Sequence, residues 1–126
     1  MKTAQDLVAA AKGLVKEVDI DDAEQAVHEA DVVLDVREGD EFRDGHIGGA
    51  VNIPRGLLEF MLGGDEALAD RSRKFVVYCK SSGRAALAAQ TMAEMGYLHV
   101  TSIAGGFDAW KESGKPVAAP ATPDYS

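Results

Sequence analysis

Phe75-Val76-Val77-Tyr78-Cys79-Lys80-Ser81-Ser82-Gly83-Arg84, running on into Ala85-Ala86-Leu87-Ala88-Ala89, decides the fold of this 126-residue chain. The apolar, strand-forming run that follows Lys74 reads as a buried β-strand. The alanine-rich segment reads as a helix through Met95, with Gly96 placed to cap it. The chain's only cysteine therefore stands where a strand ends and a helix begins. In an open α/β sheet that crevice is where ligands bind.

A short loop of Ser and Gly turning into a helix can aim several N–H groups at one spot, and with the helix N-terminus they make an anion site. A thiol held there is stabilised as thiolate. Lys80 and Arg84 add fixed positive charge beside it. Cys79 is thus the candidate nucleophile, and Lys80, Ser81, Ser82, Gly83 and Arg84 are the candidate cradle for an anionic substrate. The alternative is a cysteine packed as a small hydrophobe. The polar Lys, Ser, Ser, Gly, Arg neighbourhood weighs against a packing role.

Outward from this stretch, strand and helix signals alternate. Thr3, with Asp6 three positions on, is placed to cap a first helix. Leu7, Ala11, Leu14 and Val18, with Val8 and Val15 beside them, share one of its faces at helical spacing. That helix either packs back on the domain or presents a partner surface. Val18-Asp19-Ile20 reads as a short strand, and Asp21 or Asp22 as the cap of a helix through Ala30, on which His28 is a solvated residue. Val32 to Val36 is a near-continuous apolar run, the pattern of a parallel strand covered on both faces. Ala50 to Ile53 reads as a third strand, ended by Pro54. Arg55 after it either caps or faces the site's mouth. Leu57, Leu58, Phe60, Met61 and Leu62 read mostly as core that can also shape acceptor access, broken by Gly63-Gly64. Ala85, Ala88, Ala89 and Met92 form a narrow helix face suited to close approach to a sheet. His99 to Ala104 is the last strand, Gly105-Gly106 a tight turn, and Phe107 and Trp110 anchors of a short helix ended by Gly114. Five such alternations predict an α/β domain with a parallel sheet of about five strands and helices on both faces. The division is an N-terminal helical extension over 1–17, the domain over 18–118 and a loose tail over 119–126.

Asp35 and Arg37 at a strand end could serve as an acid and a cation. Glu38, Asp40, Glu41, Arg43 and Asp44 crowd the same turn, so an ion pair that fixes a loop is the economical account. His46 has no second histidine or cysteine at metal spacing, and a metal site is rejected. A formal charge of −8 argues against nucleic acid or an anionic membrane as partner. One cysteine allows no internal disulfide and no Cys-x-x-Cys pair, and a free thiol suits a reducing compartment. The apolar run Leu7 to Ala11 is too short for a signal peptide and is closed by Lys12, so cytoplasm is the expectation.

The cysteine stretch resembles the active-site loop of the rhodanese family of sulfurtransferases. Val33-Leu34-Asp35-Val36-Arg37 with Glu41-Phe42, then Gly45-His46-Ile47-Gly48-Gly49-Ala50 and Asn52-Ile53-Pro54, resemble the family's preceding signature. Gly105-Gly106-Phe107, Trp110 and Gly114-Lys115-Pro116-Val117 resemble the following one. Family members often carry glycine three positions after the cysteine, where this chain has Ser82 and then Gly83. The resemblance implies the same α/β fold and largely structural roles for Asp35, Arg37 and His46. It also implies a chemistry. Cys79 thiolate attacks the outer sulfur of a donor such as thiosulfate, expels sulfite and holds the sulfur as a persulfide. A thiophilic acceptor, cyanide or a thiol, then removes it. Loop amides from Lys80 to Arg84 would stabilise the persulfide anion, while the Lys80 and Arg84 side chains hold the donor's anionic end. No metal or organic cofactor is implied. The partners are a small anionic sulfur donor and a thiol or cyanide, with a protein as a possible sulfur acceptor. Two rivals stand beside this. Phosphatases and arsenate reductases also use a cysteine and an arginine around an anion loop, but the related phosphatase loops have one more residue between the two. A non-catalytic binding module on the same fold is the other rival, and such relatives usually lack the cysteine.

Overall fold

The computed structural model of the chain describes residues 1–119. Alternation along strand β4 (Lys74–Tyr78) sorts the interior into two layers. Phe75 and Val77, continued by Cys79, belong to one core, and Val76 and Tyr78 to the other. Both faces of β4 are covered, which is why its residues read as a continuous apolar run. The sheet order is β1 (Lys16–Val18), β5 (His99–Ile103), β4, β2 (Val32–Asp35), β3 (Val51–Asn52), with every pair parallel. The register sets Asp35 beside Tyr78, so β2 and β4 finish side by side. From β2 the chain moves outward to β3, and from β4 it moves the other way to β5. Their ends flank the switch point of the sheet, where α/β folds open a crevice.

Helix α6 (Gly83–Glu94), with α4 (Leu58–Gly64) and α5 (Glu66–Ala69), covers the face bearing Leu34, Phe75 and Val77. Helices α2 (Ile20–Glu29) and α7 (Gly106–Glu112) cover Val33, Val76, Tyr78 and Ile103. The expected α/β architecture is present. A short helix α3 (Gly39–Asp44) follows β2, and a single 3₁₀ turn (Arg55–Leu57) precedes α4. No helix among the described residues is long and apolar enough to cross a membrane.

Helix α1 (Ala4–Leu14) opens with the Thr3–Asp6 capping box and lies along α6. Its inward stripe differs from the expected one. Ala11 is fully buried, and Val8 and Val15 are half-buried, whereas Leu7 and Leu14 are exposed. The helix is rotated toward its smaller side chains because the surface it meets is itself small: Ala86 and Ala89 of α6 are buried outside both sheet cores. Close approach at this contact favours alanine and valine over leucine.

Other boundaries also moved. β1 ends at Val18 and Asp19 caps α2, so the helix starts before Asp21 and Asp22. β1 therefore runs across residues 17 and 18, where the extension was expected to end. β3 is two residues rather than four, as an edge strand paired only with β2. Of the apolar stretch after Pro54, only Leu58 and Leu62 are buried, while Leu57, Phe60 and Met61 are exposed. Gly63 and Gly64 continue α4 rather than breaking it. Ala118 forms an isolated antiparallel bridge with His46. The tail expected over residues 119–126 lies, apart from Ala119, outside the described residues.

Candidate active site

Cys79 follows the last residue of β4, and what surrounds it is set by where the loop's polar backbone groups go. The carbonyl of Cys79 accepts from Phe107 N at 2.8 Å, and that of Lys80 accepts from Asp108 N at 3.0 Å. These carbonyls are thus turned toward the first turn of α7. Gly106 makes the approach possible. A Cβ there would run into the Ser81 carbonyl and sit 2.5 Å from Cys79 O and 2.8 Å from Lys80 O, and φ is +58°. Only glycine meets both demands without strain.

The amides are left unspent. Among the described residues, no N–H from Lys80 through Arg84 finds an acceptor. Ala85 N donates to Cys79 Sγ at 3.4 Å, and Ala86 N to the Ser82 carbonyl at 3.0 Å begins the regular helix. Ser82 is the N-cap, but its side chain makes no capping hydrogen bond. The first-turn donors and the positive end of α6 are therefore available beside the sulfur. Unpaired amides at a helix start are the kind of donor that anions take up. Cys79 itself is 1% exposed, so its thiol is closed off from solvent. Gly83, at the helix start, is backed by Val8 of α1, whose methyl lies 3.4 Å from where a Cβ would stand.

The two cations of the loop are not free. Arg84 forks onto Glu41 of α3, Nη1 to Oε1 at 2.9 Å and Nη2 to Oε2 at 3.2 Å. Lys80 Nζ lies 2.9 Å from Asp108 Oδ2 of α7. The Glu41 hydrogen bond raises the pKa of Arg84, and the same contact lowers that of Glu41. Asp108 does the same for the Lys80 ammonium, raising its pKa. Expected as fixed positive charge beside the thiol, the pair is already matched by carboxylates brought in from two other elements. The Ser81 and Ser82 side chains make no hydrogen bond among the described residues. Their contribution to the loop is backbone.

The neighbouring strand end is an ion pair, as expected. Arg37 donates Nε and Nη2 to Asp35 at 2.7–3.1 Å and Nη2 to the Gly45 carbonyl at 2.7 Å. Both side chains are almost fully buried, and the guanidinium stacks 4.4 Å from the Phe107 ring centroid. Asn52 Nδ2 bridges the carbonyls of Asp35 and Arg37. Buried Tyr78 accepts the Ile47 N–H at 3.0 Å, and burial pushes its phenol pKa far up. His46 stacks on Phe42, with Nδ1 2.9 Å from the Phe42 carbonyl. All of this holds the segment over residues 36–50 in place, and none of it reaches the thiol. Arg55 reaches Glu59 and Thr91 of α6, joining the turn to that helix. A groove of about 580 Å³, lined by residues including Lys16, Asp22, Lys74 and His99, lies at the opposite, amino ends of the strands.

Three contributors escaped the sequence reading. Glu41 and Asp108 are drawn to the loop across 43 and 28 residues, a pairing no local pattern reports. Gly106 was visible as a turn glycine, but its role as the backing of the cysteine loop depends on packing between β4 and α7.

Known proteins resemble this chain in sequence and in fold. Residues 19–113 match the rhodanese-like domain family. The chain is 38% identical over 81 residues to the thiosulfate sulfurtransferase GlpE of Shewanella oneidensis, covering 64% of this chain and 76% of that protein. Among solved structures it is similar to a Rhodopseudomonas palustris protein of unknown function described as a possible tyrosine phosphatase. That match has a TM-score of 0.80 and 30% identity, over 94% of this chain and 96% of the other. It is also similar to the 30 kDa polysulfide-sulfur transferase homodimer of Wolinella succinogenes, with a TM-score of 0.75 and 32% identity over 91% and 86% of the two chains. With its parallel five-stranded sheet, its cysteine loop between β4 and α6 and a family match over most of its length, the chain belongs to the rhodanese-like domain family.

Proposed function

We propose that this protein is a sulfurtransferase. Cys79 accepts a sulfane sulfur from thiosulfate or a persulfide donor and hands it to a thiophilic acceptor such as cyanide or a thiol. One observation carries the reading: a lone thiol receives the Ala85 N–H beneath five consecutive amides that have no acceptor among the described residues. A persulfide on Cys79 extends one sulfur beyond Sγ and carries its charge there. Amides from Lys80, Ser81, Ser82, Gly83 and Arg84, which have no acceptor among the described residues, are the substrate-binding set and would stabilise that outer sulfur. The Arg84–Glu41 and Lys80–Asp108 pairs then serve to hold the loop.

In the first step Sγ forms a bond to the donor's outer sulfur while the donor's S–S bond breaks. Sulfite leaves with the electron pair when thiosulfate is the donor. In the second step the acceptor attacks the outer sulfur and the Cys79 thiolate is released. The names of the Shewanella and Wolinella relatives support thiosulfate and polysulfide as donor chemistries. A thiol or a protein cysteine would be the acceptor in a reducing, cytoplasmic setting.

The description of the Rhodopseudomonas relative favours a second reading, phosphate monoester hydrolysis. Four residues separate Cys79 from Arg84, one fewer than in the related phosphatase loops. A shorter loop suits a single sulfur better than a tetrahedral oxyanion. Steady-state assays decide between the two. Thiocyanate formation from thiosulfate and cyanide should be measurable and vanish in Cys79→Ser, with aryl phosphate hydrolysis at background. Cys79-dependent phosphatase turnover without sulfur transfer overturns the proposal.

A further inference from the structure

Resting on the sulfur-transfer reading, we infer that Glu41 and Asp108 select the charge of the sulfur donor, disfavouring dianions relative to donors with one negative charge or none. Glu41 is held from two sides. Its Oε1 accepts from Arg84 Nη1 at 2.9 Å and from Glu38 N at 3.1 Å, the latter bond closing the capping box of α3. For Arg84 to turn toward a substrate it must leave this carboxylate, which the Glu38 N–H keeps in place. Asp108 is fixed in the same manner. Its own amide bonds the Lys80 carbonyl at 3.0 Å while its carboxylate takes the Lys80 ammonium at 2.9 Å. Carboxylate and cysteine loop are thus tied at two points.

Charge around the loop follows from these ties. Lys80 pairs directly with Asp108 and Arg84 with Glu41, while the more distant fields of Glu38 on Arg84 and of Arg37 on Glu41 are opposite in sign. Each loop cation is thus matched by its own carboxylate, and the chain as a whole carries −8. What remains unspent is the row of amides, which suits a single anionic sulfur on Cys79. Thiosulfate brings a second charge, on its sulfonate end, and no unpaired cation of the loop is there to meet it.

The chemistry closes for a less charged donor. With a small organic persulfide, Sγ forms a bond to the terminal sulfur and the donor's S–S bond breaks. The departing thiolate keeps the electron pair and takes the donor's proton, leaving a thiol and a Cys79 persulfide anion. No oxidant or reductant is consumed.

The test measures the rate constant of Cys79 persulfide formation by intact mass, with thiosulfate and with a small organic persulfide. It uses wild type, Glu41→Gln and Asp108→Asn. Asp108→Asn touches only an exposed pair and keeps the test valid should Glu41→Gln disturb α3. The thiosulfate-to-persulfide ratio should rise roughly threefold or more in each variant, the scale of one unit charge several ångströms away near a protein surface. A ratio that stays constant or falls in both variants overturns the inference. A wild type that takes sulfur from neither donor is a different failure, that of the sulfur-transfer reading itself.

Discussion

Replacing Gly106 with alanine adds one methyl group behind the cysteine loop and touches no group that takes part in chemistry. Two costs follow from the geometry. At φ +58° any L-residue with a Cβ is strained, by about 1–2 kcal/mol. The methyl would also overlap the Ser81 carbonyl and press on Cys79 O at 2.5 Å and Lys80 O at 2.8 Å. These are backbone atoms, so relief requires the loop to move, with a further cost of about 1–3 kcal/mol. The sum of roughly 2–5 kcal/mol corresponds to a fall in Tm of about 10–20 °C for a domain of this size. Gly114→Ala is the control: φ is +78° but nothing lies within 4 Å of its added Cβ. It should lose only the conformational share, about 1–2 kcal/mol, and keep its activity. Displacing the amides by even part of an ångström should slow persulfide formation in Gly106→Ala by about tenfold or more. Thermal unfolding and the rate of mass gain with thiosulfate read the two effects. If Gly106→Ala matches Gly114→Ala in both, α7 is not the backing of the cysteine loop.

Two further predictions concern the groups that hold the loop's surroundings. Asp35→Asn leaves the Arg37 guanidinium buried without its counter-charge and should cost about 3–5 kcal/mol in urea unfolding; a loss under about 1 kcal/mol would show that the pair is not what pins the segment after β2. Glu41 contributes a pH dependence whose sign is fixed by its lowered folded pKa. Its stabilisation is complete above the ordinary value of 4.5 and fades as pH falls through the lower folded value. The stability gap between wild type and Glu41→Gln should therefore be present at neutral pH and close in acid; a gap that persists unchanged at the acid end contradicts the Arg84–Glu41 assignment.

What was legible in the sequence was local. Phe75 to Tyr78 announced a buried strand because both of its faces are covered, and the alanines after Arg84 announced a helix built for close packing. The Asp35–Arg37 pair was readable since its partners stand two residues apart. The charge state of the loop was not. Lys80 and Arg84 read as free cations because their partners come from α7 and α3, brought in by the sheet order rather than by spacing. The stripe of α1 misled for a related reason. Leu7 and Leu14 satisfy helical periodicity, but the facing α6 surface of buried alanines admits only small side chains, so Val8 and Ala11 turn inward. Periodicity finds a face, and the partner's shape chooses which one.

The central claim, that Cys79 carries the transferred sulfur, is tested most directly by intact mass. Wild type incubated with thiosulfate or a small organic persulfide should gain the mass of one sulfur atom, lose it again on adding a thiol, and show no gain in Cys79→Ser. No gain in the wild type with thiosulfate, polysulfide or an organic persulfide, or a gain that survives Cys79→Ser, would contradict it.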